Sequence, residues 1–594
     1  MTIITKRFLI VFILFSVFLA RVNAQDYDPK TTDQKFNYAL QLIRFAYVEK
    51  VNEPKIVEKS IIEMLKELDP HSIYISKEEI TRMNEPLEGK FDGIGVQFQI
   101  VKDTIVVVEI VTGGPSEKLG IMAGDKIVSI DGKNCTGDTI NNNYVLTHLR
   151  GKKGTVVKVG IVRKSRKGMM EFNITRDVIP LTSIDAVFMA TPEVGYIRLD
   201  RFSRTSMEEF RKALADLKSK GMKNLILDLR ENSGGYLDVA IDLADEFLDN
   251  DKMVVYTEGI SSPRQEYKST QKGGFEKGKL VVMIDEGSAS ASEIVSGAIQ
   301  DWDRGLLVGR RSFGKGLVQR PYDLPDGSVI RLTTAKYYTP SGRWIQKPYN
   351  DGLENYYKDA LHRYTNGELV NPDKIHFPDS LKHKTNNGRT VYGGGGIMPD
   401  IFIPMDTSKI SDYYVDLRRK NVLNNFVMDY IDKNREALLK KYPNFKAFEK
   451  DYKLTDEFLS NFTAFAEKEG VKKTIVNADK LGKIINQYYD KIKTDTTLSV
   501  KYKNYQELAA YMAQNTEALN KEIAKNAAKE DEADKKAAEN SEKYILVQLK
   551  ALVARNLYDI NSYYQVVKDV DDAFMKTIEI IQNDKLFDKL KVNH

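Results

Sequence analysis

The sequence predicts a multidomain α+β protein. Its 594 residues are too many for one hydrophobic core, since single cores stop growing at about 250–300 residues. Apolar residues recur at helical spacing near both ends of the chain, and short Val- and Ile-rich runs occupy the middle. The expected divisions are a signal peptide (1–24), an N-terminal helical region (25–87), a β-rich domain (88–177), an α/β core (178–405) and a helical C-terminal accessory domain (406–594).

The first 24 residues have the pattern of a secretory signal peptide. Lys6 and Arg7 precede an apolar run of thirteen residues at 8–20. A membrane-spanning helix needs about 17–25 apolar residues, so this run favours cleavage near Ala24 and export, with the periplasm as the expected location. An uncleaved, membrane-associated form is the alternative.

The charge balance argues against a nucleic-acid partner. The formal net charge is +5, and removal of Lys6, Arg7 and Arg21 with the signal peptide leaves +2. The six histidines show no HExxH or other ligand spacing, so neither a metal nor another cofactor is expected. The single cysteine, Cys135, excludes an intramolecular disulfide.

Residues 25–87 have helical periodicity. Phe36, Leu40 and Ile43 lie on one predicted helical face. The segment LDPHS at 68–72 ends this pattern at a proline. We interpret His71 as a structural residue in an Asp-Pro turn.

Residues 88–177 change to a strand pattern. A glycine-framed loop of Gly93, Ile94, Gly95 and Val96 is followed by GPSEKLG (114–120), AGD (123–125) and IDG (130–132). This order of loop, short helix, turn and hairpin resembles a PDZ domain. A glycine-framed loop can direct several backbone N–H groups at one anion, and the adjacent strand edge can accept an extended peptide. The resemblance implies that 93–96 binds the terminal carboxylate of a peptide.

The stretch 279–319 predicts a buried strand, a tight turn and a helix, with Ser290 in the turn. A serine at the start of a helix lies beside free N–H groups that can stabilise a developing oxyanion. It needs a base, and Lys315 is the available one in this stretch, provided that burial keeps its amine neutral. Ser290-x-x-Glu293 is also a capping box, so a helix cap is the alternative interpretation of Ser290.

GSASASE at 287–293 followed by FGKGLVQ at 313–319 resembles the carboxy-terminal processing peptidases, or tail-specific proteases. The resemblance implies that Ser290 is the nucleophile, that Lys315, 25 positions later, is the base, and that Gln319 orients the lysine amine. Ser288 and Ser292 do not have the family's spacing from the lysine. It also implies that 178–405 is an α/β serine protease core of the tail-specific type.

The segment DLRENSGG at 228–235 follows a predicted buried strand. In the resembled family such a segment supplies an oxyanion-hole N–H from its glycines, so Gly234 or Gly235 would act together with the N–H of Ala291. A plain helix-start turn is the alternative. Asp301 stands where the family often carries an acid, and we expect a supporting role for it.

Two further regions complete the chain. Residues 345–390 are polar and predict an irregular insertion or mobile flap, between TPSGR (339–343) and GGGGIMPD (393–400), which resemble family segments. Residues 406–594 are helical and rich in Lys and Glu, and 521–543 has the composition of a solvated helix or linker. Accessory, self-association and adaptor-docking roles are all open for this region.

These patterns predict an exported serine endopeptidase that recognises substrate C-termini through a PDZ domain and hydrolyses peptide bonds with a Ser–Lys dyad. Its partners would be proteins or peptides with free C-termini. The alternatives are a catalytically silent PDZ scaffold and a Ser–His hydrolase that uses His71 or His148.

Overall fold

The computed structural model describes residues 29–101, 103–111, 113–163, 166–271, 273–407, 410–472 and 539–593. The predicted signal peptide and most of the predicted linker at 521–543 lie outside these residues. The chain divides into two units, 1–74 and 75–594, which are described separately. Among the described residues, no helix combines the length and the apolar character that crossing a lipid bilayer requires.

The first unit is helical. It contains α1 (Pro29–Ala46) and α2 (Glu53–Lys66), and β1 (Ile73–Ile75) lies at its end. Asn52 caps α2, because its side chain accepts a hydrogen bond from the Lys55 N–H. After α2, the Asp69 carboxylate accepts hydrogen bonds from the backbone N–H groups of His71 and Ser72, which is the turn that LDPHS predicts.

The second unit opens with a strand-rich domain. Its elements are α3 (Lys77–Glu88), β2 (Lys90–Gly93), β3 (Val96–Val101), β4 (Thr104–Ile110), α4 (Pro115–Lys118), β5 (Lys126–Ile130), β6 (Lys133–Asn134), α5 (Asn142–Leu149), β7 (Val156–Val162), β8 (Met169–Thr175) and β9 (Asp177–Pro180). The main sheet has the order β3-β4-β5-β7-β8, so β3 is its terminal strand within the described residues. The two-residue alternation of β4 puts Ile105 and Val107 in the domain core and turns Val106 and Val108 to the other face. β2 pairs with β9, which holds the two ends of the domain together.

A mostly parallel sheet forms the centre of the second unit. Its elements are β10 (Ile184–Thr191), β11 (Val194–Leu199), α6 (Ser206–Ser219), β12 (Asn224–Asp228), α7 (Leu237–Asp245), β13 (Met253–Gly259), β14 (Ser262–Lys268), β15 (Leu280–Ile284), α8 (Ala291–Asp301) and β16 (Leu306–Gly309). The order is β10-β11-β12-β15-β16-β21, where β21 is Ile401–Phe402; β10 is antiparallel and the later strands are parallel. Helices α6, α7 and α8 pack on one face. The loops after β12, β15 and β16 therefore meet at the carboxyl edge of the sheet, where α/β proteins place their ligands.

The chain between β16 and the C-terminal helices is built around a hairpin of β17 (Leu317–Asp323) and β18 (Val329–Tyr338). It continues through α9 (Leu353–Thr365), 3₁₀ turns at Pro372–Lys374 and Asp379–Leu381, β19 (Lys382–Lys384), β20 (Thr390–Tyr392) and β21 (Ile401–Phe402). The expectation that 345–390 is irregular is wrong, because this region contains a helix and a paired hairpin; an insertion or mobile flap at this place stays a prediction. Tyr356 and Arg363 are buried despite the polar composition of this region, and they anchor α9 to the core.

The C-terminal region is helical, as predicted. Its elements are α10 (Asp412–Arg419), α11 (Val422–Lys441), α12 (Phe445–Asp451), α13 (Asp456–Lys468), α14 (539–557), α15 (Ile560–Val567), a 3₁₀ turn (Lys568–Val570), α16 (Asp572–Ile581) and α17 (Asp584–Lys589). Helices α10 to α15 share one apolar cluster, and Met428 of α11 packs on Val106 and Val108 of β4. Phe574 and Phe587, from the last two helices, pack instead on the face of the central sheet opposite α8. The end of the chain is thus part of the core that positions the loops described next.

Candidate active site

Ser290 lies in the turn between β15 and α8. Its backbone has φ 56° and ψ −110°, a combination that is sterically costly for a residue with a side chain. The turn is held by its neighbours, since the Ala289 N–H and the Ser292 hydroxyl both donate to the carbonyl of Asn232. A strained backbone that its surroundings hold in place is often found at functional sites. Ser290 is also the N-cap of α8 in a capping box with Glu293, so the two interpretations of this serine are compatible.

The buried carboxylate of Glu293 connects the serine turn to the lysine loop. One of its oxygens accepts from the backbone N–H of Ser290, at 2.8 Å, and from that of Lys315, at 2.9 Å. The other accepts from the Gly314 N–H, at 2.7 Å, and from the Ser312 hydroxyl. Burial raises the pKa of Glu293, while these hydrogen bonds oppose that rise. A single side chain therefore fixes the main chain of Ser290 and of Lys315 relative to each other.

Lys315 is half-buried in the loop between β16 and β17. Gln319 follows on β17, directly opposite Thr333 of β18. Its amide nitrogen donates to the Thr333 hydroxyl at 3.2 Å. Gln319 thus lies on the strand that continues from the lysine loop, and its amide nitrogen is hydrogen-bonded within the hairpin.

Gly234 and Gly235 lie against the serine turn. A Cβ built on Gly234 would be 2.9 Å from the Ala291 nitrogen and 2.9 Å from Cβ of Ser290, so only glycine fits there. The Gly234 N–H donates to the Asn232 side chain at 2.9 Å. In the described part of the chain the N–H groups of Gly235 and Ala291 have no hydrogen-bond partner.

Asp301 lies at the far end of α8. Eleven helical residues rise by about 16 Å at ~1.5 Å each, so Asp301 is remote from Ser290. Its carboxylate accepts from the buried Arg343 guanidinium at 2.7 Å and from the Ser341 N–H at 3.0 Å. The supporting role that this geometry offers is to hold the TPSGR segment.

The predicted carboxylate-binding loop lies between β2 and β3. Gly93 is the last residue of β2 and Val96 the first of β3. The carbonyl of Ile94 accepts from the Ser116 N–H and hydroxyl, and that of Gly95 accepts from the Val111 N–H. Gly95 has φ +75°, and a Cβ there would lie 3.1 Å from the Ile179 side chain. The loop is therefore shaped by Gly95 at the start of a terminal strand.

Comparison with known proteins finds matches to four family models along the chain. Family models match residues 193–355 (peptidase family S41), 93–174 (PDZ domain), 19–79 (activating protease CtpB N-terminal domain) and 413–495 (a family of unknown function). The carboxy-terminal processing protease CtpA of Bacillus subtilis (strain 168) is 34% identical over 350 residues, which cover 58% of this chain and 73% of that protein. The carboxy-terminal-processing protease of Bartonella bacilliformis is 36% identical over 351 residues, which cover 57% of this chain and 80% of that protein.

The chain belongs to the carboxy-terminal processing proteases. The solved photosystem II D1 C-terminal processing protease is 25% identical to it, with a TM-score of 0.32, and the match covers 62% of this chain and 92% of that one. The resemblance noted in the sequence is confirmed, as is a mixed fold with a PDZ domain and an S41 protease core.

Two residues of this carboxy-terminal processing protease make contacts that the sequence does not indicate. Glu293 belongs to a capping box, and it also binds the lysine loop. Tyr337 is buried and donates to the Ser290 carbonyl at 3.2 Å. The S-x-x-E spacing indicates the contact of Glu293 with Ser290. Its contact with Lys315 depends on a loop 22 residues away, which no local pattern reveals.

Proposed function

We propose that this protease is an exported serine endopeptidase in which Ser290 is the nucleophile and Lys315 the general base. The observation that carries the proposal is the Glu293 carboxylate, which binds the N–H groups of Ser290 and Lys315 through one oxygen. A dyad works only if nucleophile and base keep a fixed relation. A common buried anchor for the two backbones supports that role for this pair.

The proposed reaction proceeds through an acyl-enzyme. The Ser290 hydroxyl attacks the scissile carbonyl and its proton passes to the neutral Lys315 amine. The N–H groups of Ala291 and Gly235 stabilise the oxyanion of the tetrahedral intermediate. Lys315 then gives its proton to the leaving amine, and the C–N bond breaks. A water molecule, deprotonated by Lys315, hydrolyses the ester and releases Ser290.

Substrate selection is proposed to take place in the PDZ domain. β3 is a terminal strand, and its residues Phe98 and Ile100 contribute to the same apolar cluster as Val145 of α5. An extended peptide can add to such a strand while an apolar terminal side chain enters the space towards the helix. The carboxylate would bind at 93–96. Export through the predicted signal peptide would bring the enzyme to its substrates, which are proteins or peptides with free C-termini.

An active-site probe tests the dyad. We expect a fluorophosphonate to label the wild type on Ser290, and labelling to be lost in Ser290→Ala, in Lys315→Ala and in Lys315→Arg. Arginine keeps the positive charge but does not deprotonate in proteins. Appreciable peptide hydrolysis by a folded Lys315→Arg variant would refute the Ser290–Lys315 dyad.

A catalytically silent PDZ scaffold is the second candidate. In its favour, the Gly234 N–H donates to Asn232 and the Gln319 amide donates to Thr333. Both groups are predicted to act in catalysis, and these hydrogen bonds occupy them. A scaffold would bind peptides that have free C-termini without cutting them. Turnover of such a peptide by the wild type, abolished in Ser290→Ala, separates the two candidates. Docking of an adaptor or a second copy on the helical C-terminal region remains a prediction from sequence.

A further inference from the structure

We propose that Arg363, on helix α9, is a positioning residue for Lys315. Its guanidinium binds the main chain of the loop that carries the lysine and holds that loop in one conformation. The inference rests on the proposed Ser290–Lys315 chemistry and adds a third element to it, supplied by the polar region at 345–390.

The contacts of the Arg363 guanidinium are to three consecutive carbonyls. Nη1 donates to the carbonyl of Arg311 at 3.3 Å and to that of Ser312 at 2.8 Å. Nη2 donates to the carbonyl of Phe313 at 3.2 Å. The side chain is 2% exposed, so these are charge-assisted hydrogen bonds in a dry environment, where they are stronger than in water.

The rest of the lysine loop is also bonded. The N–H groups of residues 312–316 donate, in order, to the Ile397 carbonyl, the Ser288 carbonyl, both Glu293 oxygens and the Gln346 side chain. The carbonyl of Gly314 accepts from the Lys347 N–H at 2.9 Å. Among the described residues, Arg363 is the donor to the carbonyls from 311 to 313, so its loss removes these hydrogen bonds from that edge of the loop.

Arg363 is itself held in place by α9 and by the chain before it. Asp359, one helical turn earlier, has a carboxylate oxygen 2.9 Å from Nε of Arg363 and 3.0 Å from Nζ of Lys347. Nζ of Lys347 lies 3.9 Å from the centre of the Phe313 ring. This cluster fixes the guanidinium and the Phe313 side chain together. The match to the peptidase family S41 model covers residues 193–355, and Asp359 and Arg363 follow it on α9.

The guanidinium geometry explains why arginine is needed here. A planar fork can reach three carbonyls that succeed one another along a turn, whereas a lysine ammonium offers a point charge on a flexible stem. A loop released at 311–313 would let Lys315 move away from Ser290, although Glu293 still holds its N–H. Misplacement by about 1 Å can lower a rate on the order of 100-fold.

The test measures kcat and KM per active site. Arg363→Met keeps the side-chain length and removes the donors; Lys358→Met, on the exposed face of the same helix, is the matched control. Active sites are counted by fluorophosphonate titration and substrate is a fluorogenic peptide with an apolar free C-terminus. We expect kcat per titrated site to fall about ten- to a hundred-fold in Arg363→Met with unchanged KM, partial recovery in Arg363→Lys, and no change in Lys358→Met.

Other outcomes would overturn the inference. A folded Arg363→Met with wild-type kcat per titrated site, beside an inactive Lys315→Ala, would refute the role of Arg363 and leave the dyad intact. Wild-type hydrolysis by Lys315→Ala would refute the dyad and this inference with it. If Arg363→Met does not fold, Asp359→Asn serves instead: it removes the anion that orients Arg363, and an unchanged kcat in that variant would equally contradict the proposal.

Discussion

The carboxylate of Asp571 accepts two hydrogen bonds from the Arg230 guanidinium, at 2.8 and 3.1 Å. The same guanidinium donates to the buried Asp228 at 2.6 Å. Arg230 stands two residues before Asn232, whose carbonyl and side chain bind the serine turn and Gly234. A residue near the end of the chain is thereby connected to the loop beside Ser290, which gives the last helices a direct structural relation to the active site.

The first prediction concerns this pair. Asp571→Asn retains a good N-cap for α16 but loses the charged partner of Arg230. Because the Asp571 side chain is only partly exposed, we expect the free energy of unfolding to fall by roughly 1 kcal/mol and fluorophosphonate labelling of Ser290 to slow a few-fold. Glu579→Gln, on the exposed side of the same helix, should change neither. Equal effects of the two variants in urea unfolding and labelling would refute the connection.

The second prediction concerns Glu293. In Glu293→Gln, an NH₂ group replaces one of the two carboxylate oxygens. Each oxygen accepts hydrogen bonds from two groups and an NH₂ group cannot accept, so at least one buried backbone N–H loses its partner. We expect a destabilisation of about 2–4 kcal/mol and a fall in kcat of at least about 100-fold. Ser312→Ala removes one donor from the same carboxylate and the acceptor of the Ile397 N–H, but it leaves the contacts of Glu293 with Ser290 and Lys315, so it should lower kcat much less. A Gln variant with normal kcat per titrated site would contradict the anchoring role.

The third prediction is a pH dependence of stability. Burial, reinforced by the nearby Asp200 carboxylate, raises the pKa of Asp185 to about 6, above the value of about 3.9 in unfolded chains. Between these values the folded protein holds a proton that the unfolded chain has released, so this residue's contribution to stability is full below pH ~4 and is lost as the pH rises through ~6. Asp185→Asn should therefore be more stable than wild type at pH 8 by about 1–2 kcal/mol and equal to it at pH 4.

Chemical denaturation at a series of pH values measures this difference. Asp216→Asn, on an exposed site, is the control for the loss of one surface carboxylate. A constant difference between Asp185→Asn and wild type across pH 4–8 would rule out a raised pKa at this position.

The fourth prediction concerns the PDZ loop. If 93–96 binds a terminal carboxylate, amidation of the peptide removes a charged partner for the loop's N–H groups. We expect kcat/KM for an amidated peptide to be about ten- to a hundred-fold below that of the free acid. Gly95→Trp should abolish the difference, because φ +75° and the nearby Ile179 leave no room for a large side chain. Equal cleavage of both peptides by the wild type would refute carboxylate recognition by this loop.

Much of the architecture follows from the sequence, because it depends on local patterns. Alternation in β4, the apolar run of β15 and the capping box at Ser290 each lie within a few residues, where the two-residue and 3.6-residue periods are visible. The serine, lysine and glycine segments were found in the same way, as short motifs at fixed spacing. The polar composition of 345–390 leads to a wrong expectation for the same reason, because a sequence pattern does not distinguish a buried arginine from an exposed one.

What the sequence by itself determined is therefore the family, a mixed fold with a PDZ domain and a protease core, and the residues Ser290 and Lys315 as candidates. Only the tertiary structure decided that Glu293 binds both of their backbones, that Arg363 binds the carbonyls of the lysine loop and that Asp571 reaches Arg230. Each of these contacts joins residues far apart in the chain through a charge that is buried or only partly exposed. Such a charge is tolerated only where several donors or acceptors converge on it, and that convergence is created by packing of the sheet and helices, not by neighbouring residues.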